Sequence, residues 1–140
     1  DRNMTRFSLS LQQGVEFVMR CHHQMLGGEI FIPRIPSYRI VDICAAIDPS
    51  KPISIVGIRP GEKLHETMCP ADDSHLTIEF CDHYLIRPSI LFTDGVDFKR
   101  NKLGDTGRPV EQGFEYRSGS NPRFLSVDEI VAFNRRADIQ

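Results

Sequence analysis

The sequence predicts an α/β fold for this 140-residue chain, and three observations carry that reading. Apolar residues recur at helical spacing in two separate segments, each is followed closely by a short strand-like apolar run, and the second run passes directly into Arg59-Pro60-Gly61-Glu62. Helix, strand, helix, strand with short links is the pattern of parallel strands layered with helices. With 40% hydrophobic residues the chain can bury one modest core, so one domain is expected over residues 1–140.

Ser10-Leu11-Gln12-Gln13 fits a capping box, and Leu11, Val15, Val18, His22 and Met25 then follow at spacings of four, three, four and three until Gly27-Gly28 stops the helix. Glu29 to Pro33 is a short apolar strand. Ser37 can cap a second helix carrying Ile40, Ile43, Cys44 and Ile47 on one face and ending at Asp48-Pro49, and Ile53 to Ile58 is a second strand. The apolar stripes of both helices are expected to be core. Lys63 to Met68 should form a short helix closed by Pro70, with Asp72-Asp73-Ser74 a loop. His75 to Phe80 and His83 to Arg87 could pair as a β-hairpin across Cys81-Asp82, although that turn lacks the glycine that favours tight connections. The α/β part thus covers 1–92. A polar, glycine- and proline-rich segment over 93–125 should wrap the surface, and a second capping box, Ser126-Val127-Asp128-Glu129, opens a terminal helix over 126–136 that docks through Ile130, Val131 and Phe133.

Composition narrows the function. Lys and Arg number 17 against 19 Asp and Glu, a net charge of −2 without a long basic run, so a nucleic-acid surface has no electrostatic footprint. The apolar stretches are too short to span a membrane and the amino terminus lacks signal-peptide regions, which points to a cytoplasmic chain with no membrane partner. Cys21, Cys44, Cys69 and Cys81 have no Cys-x-x-Cys spacing and read as reduced, buried thiols. Cys21-His22-His23 cannot converge on one ion, because adjacent helical residues diverge by about 100°, and no metal is expected.

Chemistry concentrates at Ile58-Arg59-Pro60-Gly61-Glu62-Lys63-Leu64-His65-Glu66. Arg59 can grip a phosphate with its planar fork, and Glu62, across the turn, can accept hydrogen bonds from a ribose diol. Pro60 and Gly61 would fix the turn so that both face one ligand. An isolated Arg-x-x-Glu is more often a solvated ion pair in a surface turn, of little energetic consequence. The wider wording shifts that balance. Met4-Thr5-Arg6-Phe7, Leu11-Gln12-Gln13-Gly14-Val15, Gly27 to Ser37 and Gly57 to Glu66 occur in order, and this closely resembles the carboxyl-terminal, substrate-binding part of the inverting UDP-N-acetylglucosamine 4,6-dehydratases, from Asp1 to about Phe133. These enzymes have the extended short-chain dehydrogenase/reductase fold, of Rossmann type.

The resemblance implies a parent enzyme in which NADP takes hydride from the sugar's C4, water leaves across C5 and C6, and hydride returns to C6 with inversion at C5. It places Arg59 and Glu62 at the nucleotide, with Arg6 a second candidate for the diphosphate that can equally be a structural residue at its strand-to-helix junction. Ser8 stands where relatives often carry a large aromatic side chain, which bears on local packing. The cofactor's glycine-rich turn and Tyr-x-x-x-Lys pair are absent: Tyr38, Tyr84 and Tyr116 are followed four residues later by Asp42, Pro88 and Ser120. No catalytic and no cofactor-binding residue is therefore expected in this chain. NADP would be held by an amino-terminal half lying outside it, and the chain alone should be inactive. Rival readings are a retaining capsule or lipopolysaccharide nucleotide-sugar dehydratase or epimerase, and a non-catalytic module for sugar-nucleotide binding or assembly. Expected partners are a UDP-sugar, the chain's own amino-terminal cofactor domain and further copies in a homo-oligomer.

Overall fold

The computed structural model describes residues 1–90 and 95–137, with side chains as far as residue 135. Thr93 and Asp94, the first residues of the expected irregular segment, lie outside the described residues. The elements are β1 (Thr5–Phe7), α1 (Leu11–Gln24), β2 (Ile30–Pro33), β3 (Ser37–Arg39), α2 (Ile40–Ile47), β4 (Thr67–Cys69), a 3-10 helix (Ala71–Leu76), β5 (Thr77–Glu79), β6 (His83–Ile86), β7 (Arg108–Pro109), β8 (Tyr116–Arg117) and α3 (Val127–Ala137). The chain folds into two compact units. One contains residues 1–10, 35–67 and 117–140, the other residues 11–34 and 68–116.

In the second unit β2, β6, β5 and β7 form a four-stranded sheet in that order, all antiparallel. The expected hairpin is β5–β6, with Glu79 opposite Tyr84. Phe80 and His83 close the turn through the Phe80 N–H and the His83 carbonyl at 2.9 Å, so a backbone bond substitutes for the missing glycine signal. Ile78, Phe80, Leu85 and Phe98 make the apolar centre, packed by Leu26, Phe31 and Val96. Helix α1 turns a different face inward from the one its strongest apolar stripe suggested. Gly14, Phe17 and Cys21 are half-buried and Gln24 is buried, whereas Leu11 at 86% and Val18 at 65% exposure stand in solvent. The inward face is held by specific contacts: Phe17 meets the His83 ring edge-on at 6.3 Å, Arg20 pairs with Asp82 at 2.8 Å, and Gln24 Oε1 accepts from Asn101 Nδ2 at 3.1 Å.

The first unit pairs β1 with β3 antiparallel, Arg6 opposite Tyr38, and packs α2 against α3. Its interior is unusually polar. Thr5, Ser37, Ser118 and Asn121 are all buried, and each has partners: Asn121 Nδ2 donates to the Ile35 carbonyl at 2.8 Å and lies 2.9 Å from Ser37 Oγ, and the Ser37 backbone exchanges bonds with Arg123 and Leu125. Buried polar groups so satisfied fix a chain path that few apolar residues could specify.

Several expectations need correcting. The pairs β1–β3, β2–β6, β5–β6 and β5–β7 are antiparallel and not the expected parallel strands, and residues 53–58, the expected second strand, form no strand. Ile53, Ile55, Val56 and Ile58 are exposed without a ladder partner among the described residues, and Gly57 interrupts the run at φ +84°. Ser37–Arg39 is β3 and not a helix start, since pairing with β1 claims those residues and the helix begins at Ile40. Residues 63–66 are not helical; the segment extends into β4, while the expected loop at Asp72–Ser74 is a 3-10 helix. All four cysteines are free, yet only Cys69 is buried; Cys21 is intermediate, and Cys44 and Cys81 are exposed.

Candidate functional site

Arg59, Pro60, Gly61 and Glu62 form one tight turn. The Glu62 N–H donates to the Arg59 carbonyl at 3.0 Å, Pro60 supplies the fixed φ of the second position, and Gly61 takes φ +85° at the third. That combination is a type II turn, which needs a residue tolerant of positive φ after the proline. The Glu62 side chain then folds back, and its Oε2 accepts the Arg59 N–H at 2.9 Å. Both residues are exposed, and Arg59 takes part in none of the ion pairs among the described residues. The turn thus presents a guanidinium with no carboxylate partner beside a carboxylate with one oxygen engaged.

Arg6, the third candidate, reaches the base of this motif. Its guanidinium donates to the Thr5 carbonyl at 2.6 Å and the Leu64 carbonyl at 3.4 Å, and its Nε lies 3.5 Å from Glu66 Oε1. Lys63 Nζ is 4.0 Å from the other Glu66 oxygen. His65, expected as a packing or hydrogen-bonding residue beside the turn, is joined by Thr5 and Ser118, to which sequence reading gave no role: Thr5 Oγ1 lies 2.7 Å from both His65 Nδ1 and Ser118 Oγ. Burial and the charges of Arg117 and Arg6 lower the His65 pKa from its ordinary value. Arg6, Arg59, Lys63 and Arg117 outnumber the carboxylates of Glu62 and Glu66, which leaves the locality net positive and suited to an anion.

The cavities lie elsewhere. One of about 510 Å³ is lined by Glu79 and residues 108–114 and another, of about 160 Å³, by Phe7, Ser8, Tyr38, Ile43, Ile130 and Phe133 among others; neither includes Arg6, Arg59 or Glu62. We weigh the charged turn above these hollows, because phosphate recognition needs donors and charge on an accessible backbone turn more than an enclosed apolar volume. Among the described residues no three His, Cys, Asp or Glu side chains gather as metal ligands, and no helix is long and apolar enough to cross a membrane. Gly27 and Gly28 follow the end of α1, and α2 starts directly after Arg39 of β3.

Comparison with known proteins places this geometry in context. The family described as polysaccharide biosynthesis protein matches residues 1–88. The chain is 51% identical over 132 residues to the inverting UDP-N-acetylglucosamine 4,6-dehydratase of Campylobacter jejuni subsp. jejuni serotype O:2, and 49% identical over 132 residues to that of serotype O:23/36. Each comparison covers 94% of this chain and 40% of the relative, so the chain spans well under half the length of these curated relatives. In three dimensions it is similar to the X-ray structure of Pen from Bacillus thuringiensis, with a TM-score of 0.74 at 21% identity over the whole chain and 40% of that protein. That likeness concerns fold alone, and it supports the α/β class expected.

Proposed function

The chain belongs to the polysaccharide biosynthesis protein family, and from that membership we propose that it is the UDP-sugar-binding portion of an inverting UDP-N-acetylglucosamine 4,6-dehydratase of surface-glycan or nonulosonic acid biosynthesis. The observation that carries the proposal is the type II turn at Arg59–Glu62, set in a chain half identical to enzymes of that name. In this reading Arg59, unpaired and exposed, takes the diphosphate in a bidentate grip. Glu62 steadies the turn with one oxygen and offers the other to the ribose hydroxyls. Arg6, beside Lys63 and Arg117, adds positive charge at the base of the turn and, being tied to Leu64 and Glu66, also holds the motif against β1.

The parent enzyme uses NADP in this proposal, and the residues described here do not fit that cofactor, which is assigned to an amino-terminal domain beyond this chain. Hydride chemistry is then done outside these residues, whose part is to bind and orient the nucleotide. The exposed run Ile53–Ile58 and the open stripe of α1 are surfaces for that domain or for other copies in a cytoplasmic homo-oligomer.

The test is incubation of the purified 140-residue chain with UDP-N-acetylglucosamine and NADP, followed by mass spectrometry for the 4-keto product. No product is expected from the chain alone, and product is expected from a parent that carries it. Turnover by the isolated chain contradicts the assignment of all catalytic groups elsewhere.

A further inference from the structure

We propose that His65 is a positioning residue: clamped between Thr5, Ser118 and Gly119, it fixes the base of the Arg59–Glu62 turn and the course of Arg6, a role that rests on the reading of this turn as the nucleotide site. Three consecutive residues immediately after the turn are fastened one by one. The Leu64 carbonyl accepts the Thr5 N–H at 3.0 Å. His65 Nδ1 meets Thr5 Oγ1 at 2.7 Å. Glu66 donates its N–H to Ser118 Oγ at 2.9 Å and accepts the Ser118 N–H at 2.8 Å. Only Lys63 separates this staple from Glu62, so motion at 64–66 passes directly to the turn.

The clamp is built around the imidazole. Thr5 and Ser118 are buried, and their hydroxyl oxygens lie 2.7 Å apart. A Cβ at residue 119 would fall 2.5 Å from His65 Nδ1 and 2.7 Å from two ring carbons, well inside contact distance, so the ring occupies the space that Gly119 leaves open. Ser118 Oγ accepts from the Glu66 N–H and has both the Thr5 carbonyl, at 3.3 Å, and Thr5 Oγ1 within reach of its own proton, while one proton joins Thr5 Oγ1 to His65 Nδ1 in a direction set by the imidazole tautomer. Either neutral tautomer makes this bond, and burial with the charges of Arg117 and Arg6 lowers the His65 pKa. Arg6 lies across the same residues, on the Leu64 carbonyl and the Glu66 carboxylate, so one clamp sets both cationic arms of the site. A histidine that merely filled the space left by Gly119 would not need the buried hydroxyl pair.

The test uses the 140-residue chain and the variants Thr5→Val, His65→Leu and His65→Asn. Amide hydrogen exchange is read by NMR at residues 62–66, with Leu85 of β6 as an internal control for the fold, and UDP is titrated into each protein. Thr5→Val and His65→Leu are expected to lose about tenfold in protection at 62–66 and about tenfold in UDP affinity, the size of one lost buried hydrogen bond. His65→Asn, which places an amide oxygen near the position of Nδ1, is expected to recover most of both. Unchanged protection at 62–66 in Thr5→Val and His65→Leu overturns the proposal, and so does lost protection with undiminished UDP affinity. A wild-type chain that gives no UDP response overturns the nucleotide reading instead, while exchange still decides whether His65 holds the turn.

Discussion

Ser8 is buried at the wall of the cavity of about 160 Å³ that Phe7, Tyr38, Ile43, Ile130 and Phe133 also line. The hollow opens to solvent, so a small side chain at its wall leaves the surrounding apolar side chains partly wetted, and a larger apolar one can remove that surface from water. We expect Ser8→Phe to fill part of it and to stabilise the chain by about 1 kcal/mol, read as a higher midpoint in thermal unfolding; a lower midpoint would show that the surrounding side chains cannot make room. Which single residues could be read from sequence depended on how local their interactions are. The partnership of Arg59 and Glu62 was legible because proline and glycine at fixed positions specify a turn with little help from elsewhere. The environment of His65 was not, since its partner Thr5 lies 60 residues away in sequence and that partner's own neighbour, Ser118, lies 113 away from it.

Among the elements, α3 shows most clearly what local chemistry settles. Its capping box forms as the sequence indicates: the Ser126 N–H donates to Glu129 Oε2 at 2.8 Å, the Glu129 N–H donates to Ser126 Oγ at 3.3 Å, and Arg123 adds an ion pair to the same carboxylate. The Arg123 guanidinium, and next the Ser126 amide, lower the Glu129 pKa to about 2 from 4.5. A carboxylate depressed in the folded state contributes stability that is fully present above its unfolded pKa, near 4.5, and that is lost as pH falls towards about 2. Ser126→Ala should cost about 1 kcal/mol at neutral pH by denaturant unfolding. Glu129→Gln should flatten the fall in stability between pH 5 and pH 2, in approximate agreement with that window. Elements whose existence depends on a partner were harder to foresee. Residues 53–58 have strand composition, but a strand is stable only when its backbone groups are paired, and this segment has no ladder. Conversely Ser37–Arg39, a plausible helix start, became β3 because β1 offers it a register. The helix α1 was correctly placed between its cap and Gly27, yet its inward face was set by Phe17 meeting His83 and Gln24 meeting Asn101, contacts that periodicity cannot weigh.

For the whole molecule the consequence is exposed apolar surface. Leu11, Val15, Val18 and Met19 on α1, together with Ile53, Ile55, Val56 and Ile58, stand in solvent, and such residues recruit partners. In sedimentation analysis the isolated chain should form dimers or larger species as its concentration rises, and a monodisperse monomer over a wide concentration range would count against that expectation. The central claim, that the turn at Arg59–Glu62 reads a UDP group, is tested most directly by calorimetric titration of UDP into the 140-residue chain and into Arg59→Ala. Loss of a charge-assisted contact is worth roughly 1.5–3 kcal/mol, so Arg59→Ala should bind UDP about ten- to a hundredfold more weakly while unfolding at an unchanged temperature. UDP affinity that is the same in wild type and Arg59→Ala, or absent from both, would contradict the account and leave the motif a solvated surface turn.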